Sequence, residues 1–496
     1  MAATALPPSE TGLRDRQRAL AAFLKAASGA EAVEIARVGL LDGGAIQENW
    51  GVDANFEGGS LDGAQRLVVR TDAATGVPSS LGRVEEFRVL RAVFAAGVAV
   101  PEPLFACTDT AAIGKPFFVM RFVAGSAAGR PITLDPALEA ARPALAERLG
   151  RELARLQKVR PPRNDLDFLP PYDGPLPAIA AFRTYLDAHP NPRPVLEWAL
   201  RWAETHLPEP LPPVLCHRDF RTGNYLLEGK ALTAILDWEF AGWGDSDEDI
   251  GWFCCKGWRF GRLDREAGGI ADRVPFYRGY EAASGRLLDP ERVKFWEVYA
   301  NIRWAIIALQ QSDRFLIGGS RSLSTAITGR RATECDLELL MLIDGNQRPP
   351  QLFPARGETL APLGPFSDLP TNCDLLELAR ETLLDELAPL LPADRRRDAH
   401  LIATVIAMAS REIGGEGRGA VEAALAEFYD QAPIPTLPCQ RGREMLGRFA
   451  ADLRNGAFET SPSQQKAARA ILWQLTIGKL REGNPQFLAA NGFRAG

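Results

Sequence analysis

Histidine, methionine and cysteine are scarce in this chain, at four, five and seven among 496 residues. The histidines (His189, His206, His217 and His400) stand at no metal-ligand spacing from one another. The cysteines are odd in number and scattered, with no Cys-x-x-Cys pair, which excludes a disulfide framework or a zinc site and reads as reduced thiols. Long hydrophobic runs are missing as well. The most apolar stretch, Leu401 to Ala409, is far short of the ~20 residues a membrane span needs. The opening residues MAATALPPSE carry no basic region followed by an apolar one, and no lipidation motif is present, so the expectation is a cytoplasmic chain with neither secretory signal nor membrane partner. An excess of basic residues is also absent: Lys+Arg 57 against Asp+Glu 63 gives a net charge of −6, which argues against a nucleic-acid partner held by its phosphates.

What is present is ordinary globular composition, 46% hydrophobic and 24% charged. Leu13 to Ala27 has apolar residues at helical spacing. From Ala32 to Arg70 short apolar pieces broken by glycine read as strands, with Gly43-Gly44 and Gly58-Gly59 as turns. Val84 to Phe94 returns to helical spacing, and Pro116 to Val123 reads as a buried strand. Leu138 to Leu156 and Asp289 to Phe315 are helical. A proline-dense stretch, 346–370, reads as a linker. Beyond it, Asp374 to Leu391, Asp398 to Ile413, Val421 to Tyr429, Arg443 to Leu453 and Gln464 to Leu480 all have helical spacing, which predicts a separate all-helical domain.

The chemistry concentrates in Val214 to Asp249, VLCHRDFRTGNYLLEGKALTAILDWEFAGWGDSDED. Three apolar residues lead into His217-Arg218-Asp219, Asn224 follows, and a turn near Gly229 separates two strand-like pieces that end at Asp237. With the turn centred there, antiparallel pairing places Asn224 opposite residues 235 to 237. Asn224 and Asp237 then share one end of a hairpin, and Asp219 lies on the loop that feeds it. An amide oxygen and a carboxylate are the hard ligands Mg²⁺ takes alongside phosphate oxygens. A further carboxylate can accept a hydroxyl proton. These are the parts of phosphoryl transfer in the protein-kinase manner. His217 reads as a structural brace. Asp245, Asp247, Glu248 and Asp249 lack the spacing of a Ca²⁺ loop and read as capping and loop bracing.

These residues resemble the catalytic segment of the aminoglycoside phosphotransferase/choline kinase family, small-molecule kinases with a protein-kinase-like fold. The family pattern His-x-Asp-x4-Asn, followed by Leu-Asp-Trp/Phe-Glu, is matched by His217, Asp219, Asn224, Leu236, Asp237, Trp238 and Glu239, and Gly244, Asp245, Asp249, Ile250 and Gly251 follow a later part of it loosely. Upstream, Gly43 and Gly44 through Asn49 are similar to the turn that covers the nucleotide. Val68-Val69-Arg70 resembles the strand whose basic residue meets the α- and β-phosphates, although that residue is Arg70 where protein kinases have lysine. Glu86 matches the acid that pairs with it, and Met120, Arg121 and Val123 lie in a segment similar to the adenine hinge. Gln157 stands where the family usually has histidine at the end of a helix.

The resemblance implies an α+β, bilobal protein-kinase-like fold followed by a separate all-α domain. The expected divisions are an N-terminal helix (1–29), a nucleotide-binding N-lobe (30–122), a catalytic and acceptor C-lobe (123–345), the proline-rich linker (346–370) and an all-helical domain of unknown function (371–496). It implies an ATP- and Mg²⁺-dependent phosphotransferase acting on a small-molecule hydroxyl acceptor. Asp219 would be the catalytic base, Asn224 and Asp237 the metal ligands, and Arg70, Glu86, Gly43, Gly44, Met120, Arg121 and Val123 the nucleotide site. Arg259, Arg262 and Arg303, set among tryptophans, suggest an acceptor with an anionic group. The alternative is a non-enzymatic nucleotide-binding module whose C-terminal helices mediate protein interaction. A protein Ser/Thr kinase fits less well, because no Gly-x-Gly-x-x-Gly loop and no Ala-Pro-Glu segment is present.

Overall fold

The computed structural model describes residues 10–41, 47–72, 80–316, 323–345, 372–414, 418–429 and 438–493. These divide into two compact units, one formed by Met1–Gly174 with Pro210–Val293, the other by Pro175–Glu209 with Lys294–Gly496. Among the described residues no helix is long and apolar enough to cross a membrane.

The first unit opens with helix α1 (Glu10–Ser28) and strands β1 (Ala32–Leu40), β2 (Gln47–Glu57) and β3 (Gly63–Asp72). Helix α2 (Arg83–Ala95) and strands β4 (Pro103–Cys107) and β5 (Phe117–Arg121) follow. The strands form one antiparallel sheet in the order β1-β2-β3-β5-β4. Alternation along β3 decides what each face meets. Leu67 and Val69 pack with Leu20 and Leu24 of α1, whereas Val68 packs with Phe87 and Leu90 of α2. Arg70, two residues after Val68, therefore falls on the α2 face, which is where Glu86 stands. The period-2 pattern of a single strand sets up the pairing on which the site depends.

Past the sheet, β6 (Val214–Cys216) pairs with β9 (Gly242–Gly244), and β7 (Tyr225–Glu228) pairs with β8 (Ala231–Ile235). The β7–β8 turn carries Gly229 at φ 57°, a left-handed conformation that glycine adopts without steric cost. Helices Arg142–Leu156 and Arg273–Ser284 cross closely at Gly150 and Gly279, where an added Cβ would fall onto the carbonyl oxygens of Phe276 and Glu147. At the end of the first of these helices Gln157 donates to Ser246 O (2.7 Å) and accepts from the Tyr280 hydroxyl (2.6 Å), so the residue in place of histidine works as a buried strut.

The second unit is helical, and its helices come from both sides of the segment Pro210–Val293 in sequence. Pro194–Thr205 packs on Pro438–Arg454, and Ala332–Asp344 packs on Pro462–Gly483. Glu197 accepts from Arg454 (2.7 and 2.9 Å), and Asp344 accepts from Arg469 (2.8 Å) and Trp473 (3.3 Å). The compact division therefore does not follow the linear one expected from sequence. Residues 175–209 and 294–345 group with the C-terminal helices, because apolar faces such as Val195, Leu196, Ala199 and Leu200 are buried in that unit. The proline-dense stretch 346–370 lies outside the described residues.

Candidate active site

The nucleotide side of the site is built around Arg70. Its Nε lies 3.0 Å from Glu86 Oε1, its Nη1 lies 3.1 Å from Asp237 Oδ1, and Nη1 also donates to Asn49 Oδ1 at 3.3 Å. Asn49 is the register partner of Arg70 across β2 and β3, which brings its amide to the guanidinium. Arg70 Nη2 is buried and has no hydrogen-bond partner. Burial alone would lower the Arg70 pKa, but Glu86, Asp237 and Glu239 overturn that and raise it, so the guanidinium stays charged. Burial likewise pushes Glu86 up, against the pull of Arg70 and Arg83.

Asp237 heads a short turn with φ 63° and ψ 61°, an uncommon conformation for a residue with a side chain, and its side chain is 37% exposed while Glu86 and Arg70 are buried. The carboxylate is thus open to a ligand from solvent. The hairpin geometry is as spacing predicts: the Leu236 N–H donates to Asn224 O (2.8 Å) at the end of the β7–β8 ladder. Asn224 Nδ2 donates to Asp219 Oδ2 (2.6 Å) and to Asp219 O (3.0 Å), which leaves the amide oxygen Oδ1 available as a ligand. Among the described residues no group of three or more His, Cys, Asp or Glu residues could hold a metal. One amide oxygen and one partly exposed carboxylate suit Mg²⁺, which keeps waters and phosphate oxygens in its shell.

Asp219 receives three side-chain donors: Asn224 Nδ2, Arg221 Nε (3.1 Å) and Trp252 Nε1 (3.0 Å). Arg221 in turn lies over the Trp258 ring, 4.8 Å from its centroid. The loop beneath is fixed by His217 and Asp249. His217 Nε2 meets Leu236 O (2.8 Å) and Nδ1 meets the Asp219 N–H (3.2 Å), partners that assign the neutral tautomer with the proton on Nε2. Burial lowers the His217 pKa and favours that neutral form. Asp249 accepts the N–H groups of His217 and Arg218, each at 2.7 Å. Asp245 and Asp247 pair with Arg292, and Asp247 also with Arg286. The acidic run is thus bracing, as its spacing suggests.

The structure brings Arg70, Glu86, Asp219, Asn224 and Asp237 together. Met120 is in β5 and buried. Arg121 pairs its side chain with Glu102 (2.7 Å) and its N–H with Glu102 O (2.9 Å), while the Phe122 N–H donates to Arg66 O (3.0 Å). Val123 follows directly on that strand end. Gly43 and Gly44 lie outside the described residues. Arg259 donates to Leu263 O (2.9 Å) and Cys254 O (2.8 Å), and Arg262 pairs with Asp264 and Glu139. Both bind protein groups, so the suggestion of an anionic acceptor draws nothing from them. Sequence reasoning missed the parts played by Arg83, Glu239 and Trp252. Arg83 joins Arg70 on Glu86, and Glu239 accepts from Gln47 (2.6 Å) and Ser80 (2.8 Å), with its backbone O accepting the Leu81 N–H (2.7 Å). The position of Arg83 one helical turn before Glu86 was the available signal; no spacing links Trp252 to Asp219.

The model of the phosphotransferase enzyme family matches residues 41–296. Acyl-CoA dehydrogenase family member 10 of Mus musculus is 31% identical over 199 residues, which are 38% of this chain and 18% of that protein. Acyl-CoA dehydrogenase family member 11 of Homo sapiens is 30% identical over 173 residues, 34% of this chain and 22% of that protein. The chain thus spans roughly a fifth of the length of these two relatives. A solved structure from Ralstonia eutropha, assigned to the aminoglycoside phosphotransferases, superposes with a TM-score of 0.55 at 21% identity, over 66% of this chain and 98% of that one. That likeness bears on the fold, which is kinase-like.

Proposed function

The chain belongs to the phosphotransferase enzyme family, and from that premise we propose that it moves the γ-phosphoryl group of ATP to a hydroxyl of a small molecule. The observation that carries this reading is the Arg70 guanidinium. It is clamped by Glu86 and Asp237 yet keeps a buried, unpaired Nη2, a donor that a phosphate oxygen would satisfy. Asn224 Oδ1 and the Asp237 carboxylate are the residues that would hold Mg²⁺, which when bound neutralises charge on the β- and γ-phosphates. The hinge around Met120, Arg121 and Val123 would receive adenine, and Gly43 and Gly44 would cover the phosphates.

Asp219 would accept the hydroxyl proton. Arg221, Asn224 and Trp252 fix the orientation of its carboxylate, which leaves positioning and charge neutralisation as the main sources of rate. Arg221 and Trp258 border the side from which an acceptor would approach Asp219. The relatives' names direct the acceptor search first to hydroxylated acyl compounds, including thioesters.

The test is direct. The purified chain is heated with and without ATP and Mg²⁺, then screened against hydroxylated acyl compounds for ADP release. A Mg²⁺-dependent rise in melting temperature that Asp237→Ala removes supports the nucleotide site. Asp219→Asn is expected to keep that rise and lose turnover by ~10²–10⁴-fold. Absence of the rise in the wild-type chain would overturn the reading.

A further inference from the structure

Within the second unit the helices border a half-open cavity of about 1330 Å³. This exceeds the ~300–1,000 Å³ usual for small-molecule sites. Much of its wall is apolar and includes the buried Leu309, Ala403, Met408, Leu425 and Leu475. Arg193, Arg380, Arg411 and Lys479 also line it.

The charges on this wall are unevenly matched. Asp313 accepts from the Tyr185 hydroxyl, Glu334 accepts from Arg331 (3.3 Å) and Asn484 (3.0 Å), and Glu377 pairs with Arg380. Three cations lack full partners. Arg193 is nine-tenths buried and pairs with Asp336 (3.1 Å), but its Nε has no acceptor. Arg411 donates through Nε to the backbone oxygen of Glu482 (2.8 Å), and among the described residues no carboxylate lies within ion-pair reach of it. Lys479 makes neither a hydrogen bond nor an ion pair with any described residue. Lys479 is one helical turn before Glu482, and Arg193 is near enough to repel it, so the three cations gather at one end of the helix Pro462–Gly483. Burial lowers Lys479 to about 8, with Arg193 adding to the fall while Asp336 and Glu482 oppose it. Burial also lowers Arg411, with Arg380 adding to the fall and Glu377 opposing it. Lys479 and Arg411 are partly buried and have no paired carboxylate among the described residues, a desolvation cost that an anion in the cavity would offset.

We propose that this cavity binds an amphipathic anion, a carboxylate or phosphate head on a hydrocarbon body, with the head among Arg193, Arg411 and Lys479 and the body along the apolar wall. The site is independent of the phosphotransfer reading, because every residue it uses belongs to the second unit.

The full chain is titrated with decanoate, decyl phosphate and uncharged decanol, each below the concentration at which it aggregates, with binding read by calorimetry. Both anions are expected to bind at least tenfold more tightly than decanol, and the tighter of the two identifies the head group. Lys479→Met and Arg411→Gln are each expected to weaken anion binding at least tenfold. Both variants are checked for an intact thermal transition, so that if one fails to fold the other still decides. Decanol binding as tightly as the anions, no binding by either anion, or unchanged affinity in a folded variant would overturn the proposal.

Discussion

The Arg70 guanidinium meets Glu86, Asp237 and Asn49 along different edges of one planar fork. A lysine supplies a single point charge and cannot span those three partners at once. Arg70→Lys is therefore expected to raise the KM for ATP about tenfold and to shrink the nucleotide-induced shift in melting temperature. A second residue-scale expectation concerns pH. Burial and Glu248 push the Asp249 carboxyl up to about 7, and its ionised oxygens accept the His217 and Arg218 N–H groups. Protonation weakens that grip, so turnover should fall as pH drops below about 7, and Asp249→Asn should lower the plateau and abolish that limb of the profile. A third concerns Lys479, whose folded-state pKa of about 8 lies below its ordinary 10.5. Between those values the unfolded chain binds the extra proton, so this group makes stability rise with pH across that window, and below 8 its charge is a full liability. Lys479→Met should raise stability at pH 7 by about 1–3 kcal/mol, with the gain gone near pH 10 in thermal melts. Residues joined by short spacing, such as Asp219 with Asn224, were legible in the sequence. Contacts such as Gln47 with Glu239 or Trp252 with Asp219 were not, because only the tertiary fold brings those side chains together.

At the scale of elements, local periodicity was a sound guide. The apolar spacing of Leu13 to Ala27 and Val84 to Phe94 corresponds to α1 and α2, and a turn at Gly229 fixed which strand residues face each other. The six-residue helix Pro485–Ala490 escaped notice because it is too short to show a period. The close crossing at Gly150 and Gly279 was equally invisible, since nothing in a single sequence says which glycine meets another helix. That crossing makes a sharp prediction. At Gly279 the obstacle to a methyl group is backbone, which cannot rotate away. Gly279→Ala should destabilise the chain by about 1–3 kcal/mol in denaturant titration, whereas Gly285→Ala, with open space but φ 73° at a helix end, should lose only about 1 kcal/mol.

For the whole molecule, the sequence suggested domains strung one after another, and the family motifs correctly pointed to a kinase-like fold. It did not reveal that residues 175–209 and 294–345 belong with the C-terminal helices. Apolar periodicity says that a helix has a face to bury; it does not say against which partner. A chain ending at residue 345 would therefore expose Leu196, Leu200, Leu337 and Leu340, all buried in the intact chain. Such a truncation is expected to aggregate or to melt well below the full-length protein, as size-exclusion chromatography and thermal scans would report. A soluble, fully active truncation would contradict it.

The interleaving of the second unit also sets a clock. On the ribosome, the helix Pro194–Thr205 emerges roughly 230 residues before its packing partner Pro438–Arg454. At ~5–20 residues per second this is a delay of roughly 10–50 s. During that interval the nascent chain carries an uncovered greasy face, and the first unit, whose last residue is Val293, is completed only part-way through it. Trigger-factor-like holdases would have their longest engagement with this protein at that helix, and slowing translation before residue 438 should lengthen it.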